Sequence, residues 1–331
     1  MLGHAERGAP QDFAESQAHN RRISAGIVLL FILFFLLVGF SVDYLYLDAF
    51  TPKGLHFAVA TVVSLALATG ITLTSYYYGS ELILGSLGAE GLNQQLPEHR
   101  ELHNVVTEMA LASGCPMPKV YVIFDPASNA LATGRDEFHA SICATTGLLA
   151  LVNREELQGV VAHEISHIRN QDILVMTLVS VLVGGVALLS DWAQRSFSSS
   201  RSRESEEGKN LWLAIPAYLL IIFSPLISRL LAMAVSRQRE YLADATAVEY
   251  TRNPLGLAKA LEKIRDAAMP FQLASSGTAQ LFFVNPLSRP VDDREGALAD
   301  LLSTHPPIAR RIMLLYQMAG LPGGQAGKVI A

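Results

Sequence analysis

The chain has 331 residues, is half hydrophobic, and carries only 17% charged residues, against roughly 25% in an ordinary globular domain. That balance points to a membrane protein, and a net charge of −5 gives no basis for nucleic-acid binding. Two cysteines, Cys115 and Cys143, make neither a disulfide framework nor a zinc-ribbon spacing, and suit thiols facing a reducing cytosol.

Residues 1–22 are polar and mixed in charge, and are expected to form a loose tail ending in Arg21-Arg22. Ile23 to Val42 is an uncharged apolar run of about twenty residues, long enough to cross hydrocarbon. It is too long for the apolar part of a signal peptide, and no small-x-small cleavage site follows, so it reads as a retained anchor. Asp43 to Gly54 is a short loop whose Tyr44, Tyr46 and Phe50 suit the membrane interface. Leu55 to Ser75 is a second apolar run, closed by Tyr76-Tyr77-Tyr78. Arg7, Arg21 and Arg22 precede the first run, while the loop carries only Lys53. The positive-inside rule therefore places the N-terminus in the cytoplasm, and two crossings return the chain there.

Gly85 to Gly91 is glycine-rich and reads as a linker. Pro97 to Ser113 has the pattern of an amphipathic helix, stopped by Gly114 and Pro116. Val120 to Ile123 and Phe138 to Thr145 are candidate strands, with Asn129 to Gly134 between them as an edge strand. The next helix begins at Asn153, an N-cap with Glu156 three residues on, and Glu155 and Glu156 suit its positive end. Leu157, Val160, Val161, Glu164 and Ile168 then fall near a 3.6-residue period. Inside this helix lies His163-Glu164-Ile165-Ser166-His167. Neutral imidazoles at i and i+4 project from one face and can grip one metal ion, and the adjacent glutamate can take a proton from water. Locally, the alternative is an amphipathic helix whose histidines bond only a neighbour, and the rest of the chain has to decide.

Ile173 to Ser190 is a third apolar run of about eighteen residues, near the lower limit for a span. Asp191 to Asn210 is a serine-rich, charged loop, and Leu211 to Ile227 is a fourth apolar run that Pro216 and Pro225 should kink. The loop between them holds Arg195, Arg201, Arg203 and Lys209, which the positive-inside rule disfavours on the outer side. The hairpin therefore either spans the membrane or sits in its cytoplasmic face, and both arrangements return the chain to the side it left. Beyond it, Asn253-Pro254 starts a helix to about Ala268, and Gln272 to Ala297 reads as largely irregular. Thr304-His305-Pro306-Pro307 opens a last helix ending near Gly320, and a glycine-rich tail follows.

Two histidines leave a zinc ion short of a third protein ligand. Just past the fourth run, Glu240 and Asp244 stand four residues apart and so share one helix face. Glu240 can complete a His-His-Glu set, and Asp244 can hydrogen-bond a ligand histidine. Taken alone, the same stretch is also an exposed face salt-bridged to Arg237 and Arg239; joined to the histidine pair, the ligand reading is preferred.

Four segments in order now carry a resemblance. They are Asn129 to Gly134, His163 to His167, Glu240 with Asp244, and Ser303-Thr304-His305-Pro306-Pro307 with Arg311-Ile312. With the four apolar runs, this chain resembles the HtpX family of membrane zinc metalloproteases, related to the CAAX prenyl protease, from about Ile23 to about Met318. The resemblance implies one Zn2+ per chain held by His163, His167 and Glu240, with Glu164 as general base. It implies that Asp244 and Arg311 support the site and that His305 stabilises the oxyanion. It also implies that Asn129, Ala130, Leu131, Ala132, Thr133 and Gly134 form a strand pairing with substrate backbone. Leu131 departs from the phenylalanine often found in relatives, and the N-terminal tail is longer than theirs.

The fold class so implied is a mainly α membrane protein. It has four transmembrane or membrane-embedded helices and a cytoplasmic gluzincin-like α+β metalloprotease domain with a small β-sheet. The expected divisions are a tail over 1–22, two membrane helices over 23–78, a first enzyme part over 79–172, and a membrane hairpin over 173–235. A second enzyme part over 236–320 and a disordered tail over 321–331 complete them. The implied function is cleavage of misfolded or damaged membrane proteins in a bacterial or archaeal cytoplasmic membrane. Expected partners are membrane-protein substrates, the lipid bilayer, and other membrane proteases or regulators of quality control. Two alternatives are a non-catalytic membrane scaffold with a structural zinc and a CAAX-type processing protease. The first lacks a cysteine or further histidine beside the motif to close the fourth position, and the second has more apolar spans than four.

Overall fold

The structure is a computed structural model, and it describes residues 13–45, 58–200, 237–267, 269, 271, 278–284 and 306–321. In chain order the elements are α1 (Phe13–Leu45), α2 (Val59–Ser86), β1 (Ala89–Gly91), α3 (Pro97–Ser113), β2 (Lys119–Ile123), β3 (Ala130–Gly134) and β4 (Ala140–Thr145). They continue with α4 (Thr146–Leu151), α5 (Arg154–Arg169), α6 (Asp172–Ser200), α7 (Arg237–Thr251), α8 (Pro254–Ala267) and α9 (Ile308–Met318).

α1, α2 and α6 pack into a membrane-type layer around Phe31, Phe34, Phe35, Ala68, Val179 and Leu182. Gln17–Tyr44 and Val59–Ser86 are each long and apolar enough to cross a bilayer; among the described residues a third span arises only if α5 and α6, bent by 86° at their junction, count as one. At 1.5 Å per residue α1 is about 50 Å long, well beyond a hydrocarbon core of about 30 Å. The overshoot is the polar stretch from Phe13 to Arg22, expected as a loose tail and found as helix. No proline or glycine interrupts it, and two of its side chains anchor it: Gln17 Nε2 donates to the Arg169 carbonyl at 2.9 Å, and the buried Asn20 Nδ2 donates to the Asn170 carbonyl at 2.9 Å. At the other end of α1 the Asp43 carboxylate accepts from Ala60 N (3.0 Å), Thr61 N (2.7 Å) and Thr61 Oγ1 (2.6 Å), capping the first turn of α2. One turn earlier Gly39 lets the helices touch, since a Cβ there would stand 2.7 Å from the Ala60 carbonyl oxygen and the Thr61 Cα.

α2 continues past its three tyrosines to Ser86, the chain turns at Gly88, and Ala89–Gly91 becomes a strand. The stretch read as a linker is thus the end of a helix and a sheet edge. Its residues have little β-propensity, and it forms because β2 offers an open edge. The four-stranded sheet runs β1-β2-β4-β3, with β2 and β4 parallel and both outer pairs antiparallel. As expected, α3 spans Pro97 to Ser113 and stops at Gly114, whose φ of +67° suits a residue without a Cβ.

α5 is the centre of the part of the molecule that carries the sheet, packed by α3, α7, α8 and β3. Asn153 and Glu156 form the expected capping box, Glu156 N donating to Asn153 Oδ1 at 3.0 Å and Asn153 N to Glu156 Oε2 at 2.8 Å. Every residue from Gly159 to Ile168 is buried, so α5 is covered on all sides, and its polar side chains must find partners inside. The first ten residues of the expected serine-rich loop, 191–200, are instead the end of α6; 201–210, the fourth apolar run Leu211 to Ile227, the first twelve residues and the tail beyond Leu321 lie outside the described residues.

Candidate metal centre

α5 presents His163 and His167 one turn apart, and α7 crosses it to bring Glu240 to the same point. The two Nε2 atoms stand 3.2 Å apart, with Glu240 Oε2 3.6 Å from the first and Oε1 3.7 Å from the second. Ligands about 2 Å from one tetrahedral ion stand roughly 3.3 Å from each other, so the three side chains fit a zinc-sized cation. All three are buried.

Each imidazole is held from behind by a carboxylate. His163 Nδ1 lies 2.9 Å from Asp244 Oδ1, and His167 Nδ1 lies 3.1 Å from Asp172 Oδ2. Donation from Nδ1–H fixes the tautomer and leaves the Nε2 lone pair facing the cage. Asp244 is clamped by Arg311, whose Nε and Nη2 donate to Oδ2 and Oδ1 at 2.8 and 2.7 Å. Burial works to raise the Asp244 carboxyl; the Arg311 guanidinium and the His163 ring overcome it and hold it below the ordinary carboxylate range. Arg311 is itself fully enclosed. It spends Nη1 on the Phe283 carbonyl at 3.0 Å and lies over the Phe283 ring, which meets the His163 ring edge-on.

Glu164 sits beside the cage with 1% of its surface exposed. Burial, and after it the nearby Glu240 carboxylate, push its carboxyl up to about 7; His167, Arg311 and the Ala132 N–H work in the other direction. A carboxyl poised there exchanges protons with water near neutral pH.

β3 is an edge strand, but several of its outward backbone groups are engaged. The Ala130 carbonyl accepts from Phe283 N at 2.8 Å, Gly134 N donates to Thr177 Oγ1 at 3.1 Å, and the Ala132 N–H faces the Glu164 carboxyl. Asn129 grips Val284 through both amide atoms, Nδ2 to the carbonyl at 2.7 Å and Oδ1 from the N–H at 3.1 Å. Leu131 points into a cluster with Ile83, Met176 and Phe282, and Thr133 pairs with Thr177 at 2.9 Å. The structure therefore brings β3 to the site, with Phe282 to Val284 lying along its rim. His305 lies outside the described residues.

Sequence reasoning missed Asp172. The signal was available: a metal-ligating histidine nearly always gives its second ring nitrogen to an acceptor, and Asp244 serves only one of the two. Asp172 is the nearest acid after His167, five residues on.

A model described as Peptidase family M48 matches residues 97–319. A "Protease HtpX homolog" of Caldanaerobacter subterraneus subsp. tengcongensis is 42% identical, over 92% of this chain and 97% of its own length. One of Thermoanaerobacter pseudethanolicus is 43% identical over the same shares, and one of Streptococcus gordonii is 35% identical over 92% and 99%. Among solved structures, S. mikatae Ste24p aligns with a TM-score of 0.42 and 20% identity, over 84% of this chain and 62% of that one.

Proposed function

The chain belongs to peptidase family M48, among its HtpX proteases, and from that premise we propose a zinc-dependent endopeptidase that cleaves misfolded or damaged membrane proteins at the cytoplasmic membrane. The observation that carries this reading is the convergence of His163, His167 and Glu240 with Glu164 buried beside them. The donor set, two neutral imidazoles and one carboxylate, is that of a catalytic zinc site with a coordination position left for substrate or water. Zinc held there would supply a Lewis acid for the scissile carbonyl and lower the pKa of water.

The residues divide the remaining work. Glu164 takes a proton from the attacking water and returns it to the leaving amine, a two-way role that suits a carboxyl pushed up to about 7. Asp244 and Asp172 hold the two rings, and Arg311 neutralises the buried carboxylates around them. Residues 129–134 form the rim along which an extended substrate segment would lie, and His305 is assigned to the oxyanion. Substrate backbone would have to share that rim with Phe282 to Val284.

Location supports a membrane substrate. Asp172, which touches His167, is also the first residue of α6, and α6 packs against both candidate spans. The cage is thus a few residues from the membrane layer. The basic residues before the first span favour a cytoplasmic enzyme domain, with the apolar hairpin over 173–235 returning the chain to the same side. Four membrane segments, contact with other quality-control proteases, and a bacterial or archaeal cytoplasmic membrane complete the proposal.

The test is metal content together with cleavage of an unfolded model protein in detergent, wild type beside Glu164→Gln. About one zinc per chain in both, with cleavage lower in the variant by roughly two to four orders of magnitude, is the expected result. Wild-type cleavage by a folded, zinc-loaded Glu164→Gln protein would remove Glu164 from the chemistry.

A further inference from the structure

A hydrogen-bond chain leaves the cage through His167 and ends on the first membrane helix. His167 Nδ1 meets Asp172 Oδ2 at 3.1 Å. The other oxygen, Oδ1, accepts from Asn20 Nδ2 at 2.6 Å, and the same amide nitrogen donates to the Asn170 carbonyl at 2.9 Å. Asn20 Oδ1 in turn accepts from Arg239 Nη1 at 3.3 Å, and that nitrogen stands 3.6 Å from Asp172 Oδ1. Asn20 is 4% exposed and Asp172 2%, so the bonds Asp172 makes to His167 and Asn20 form away from bulk water.

The arrangement poses a competition for Asp172. A carboxylate beside a guanidinium favours a two-pronged pairing that would use both of its oxygens. Here Asn20 occupies Oδ1 at short range and engages Arg239 through its own carbonyl oxygen. Oδ2 is thereby left to the imidazole of His167. An apolar side chain at residue 20 would free the carboxylate to turn toward Arg239, and His167 would lose the acceptor that fixes its tautomer.

We infer that Asn20, on the membrane helix α1, is a positioning residue for His167, holding Asp172 in the orientation the metal ligand needs. This rests on His163, His167 and Glu240 being the ligand set. The consequence is that the cage is complete only while the polar end of α1 is docked on the junction of α5 and α6. Gln17 supplies a contrast on the same helix, since its amide reaches the Arg169 carbonyl and nothing in the Asp172 chain.

The experiment is a Zn2+ titration of the full-length, metal-stripped protein in detergent against a chelating dye, with wild type, Asn20→Ala, Asn20→Leu and Gln17→Ala. A cavity of about 200 Å³ beside Asn20, Asp172 and Arg239 lets water enter when the side chain is cut back, so Asn20→Ala is read even where Asn20→Leu does not fold. Folded Asn20 variants are expected to bind Zn2+ about tenfold more weakly, with Gln17→Ala at the wild-type value. With Co2+ in place of Zn2+, the visible bands of Asn20→Ala should shift while those of Gln17→Ala do not. Wild-type affinity and bands in Asn20→Ala, or an equal loss in Gln17→Ala, overturn the inference and leave the ligand set standing. A wild-type protein that takes up no Zn2+ overturns the ligand set, and the inference with it.

Discussion

Glu164 is the residue where burial and chemistry meet. Its carboxyl is pushed from an ordinary 4.5 to about 7, so the folded, metal-free protein holds this proton more tightly than the unfolded chain does. Below pH 4.5 both states are protonated and nothing is lost. Between 4.5 and 7 the unfolded chain releases the proton first, and folding stability falls as pH rises. The full loss, about 3 kcal/mol at 1.36 kcal/mol per pH unit, is reached above 7. Denaturant unfolding of metal-stripped protein at pH 5 and pH 8 should show this, and Glu164→Gln should lack that part of the slope. Equal slopes in the two proteins would mean the carboxyl is not desolvated as the structure has it. At this scale the sequence was informative about the cage, because a helical i, i+4 pair and a second helix with one carboxylate are local patterns. It was silent about Asn20, which meets Asp172 across about 150 residues of chain, and about Phe283, whose ring faces His163.

The junction of α5 and α6 explains that silence. The two helices meet at 86°, and Gln171 turns the corner with φ of +58°, in the left-handed region. The turn ends α5 with Asn170 N donating to the Ser166 carbonyl at 3.0 Å, and it swings Asp172 back onto His167. Neither glycine nor proline marks the spot, and the polar stretch Arg169-Asn170-Gln171-Asp172 is as compatible with an unbroken helix as with a corner. Gln171→Val should destabilise the protein by about 1–3 kcal/mol, since a β-branched side chain is poorly tolerated at positive φ. Because the same strain loosens Asp172, zinc affinity should fall with it, whereas Gln171→Gly should retain both. A Gln171→Val protein unchanged in stability would show that the corner has no such conformation. The other element-scale differences have the same origin. β1 forms on an edge lent by β2, and the first polar residues of α1 are helical because Gln17 and Asn20 bond to the end of α5. Neither cause is visible within the segment itself.

The whole molecule is an enzyme domain set on a membrane layer, and its surface follows two rules. Around the cage, the side chains of His163, His167, Asp172, Asp244 and Arg311 are enclosed and paired. On α1, Leu29, Leu33 and Leu37 recur every fourth residue and are each more than half exposed, on the face turned away from α2 and α6. In water such a stripe would be a liability; in hydrocarbon it is the solvent-matched face. Composition alone made the membrane legible, because the apolar runs are long and nearly free of charge. The lipid-facing stripe was not legible, since every face of those runs is apolar and only packing distinguishes them. The two environments give opposite expectations for one substitution. Leu33→Arg on a water-facing surface would change stability by less than about 0.5 kcal/mol. At the middle of a membrane helix it costs about 2.5–3.5 kcal/mol of insertion free energy. Carbonate extraction of membranes expressing each protein separates the cases. Wild type should stay in the pellet, and Leu33→Arg should be partly released or degraded, whereas Phe31→Leu, a buried and apolar exchange on the opposite face, should stay with the membrane. If Leu33→Arg remained as firmly inserted as wild type, α1 would not be meeting lipid on that face, and a neighbouring helix would have to cover it.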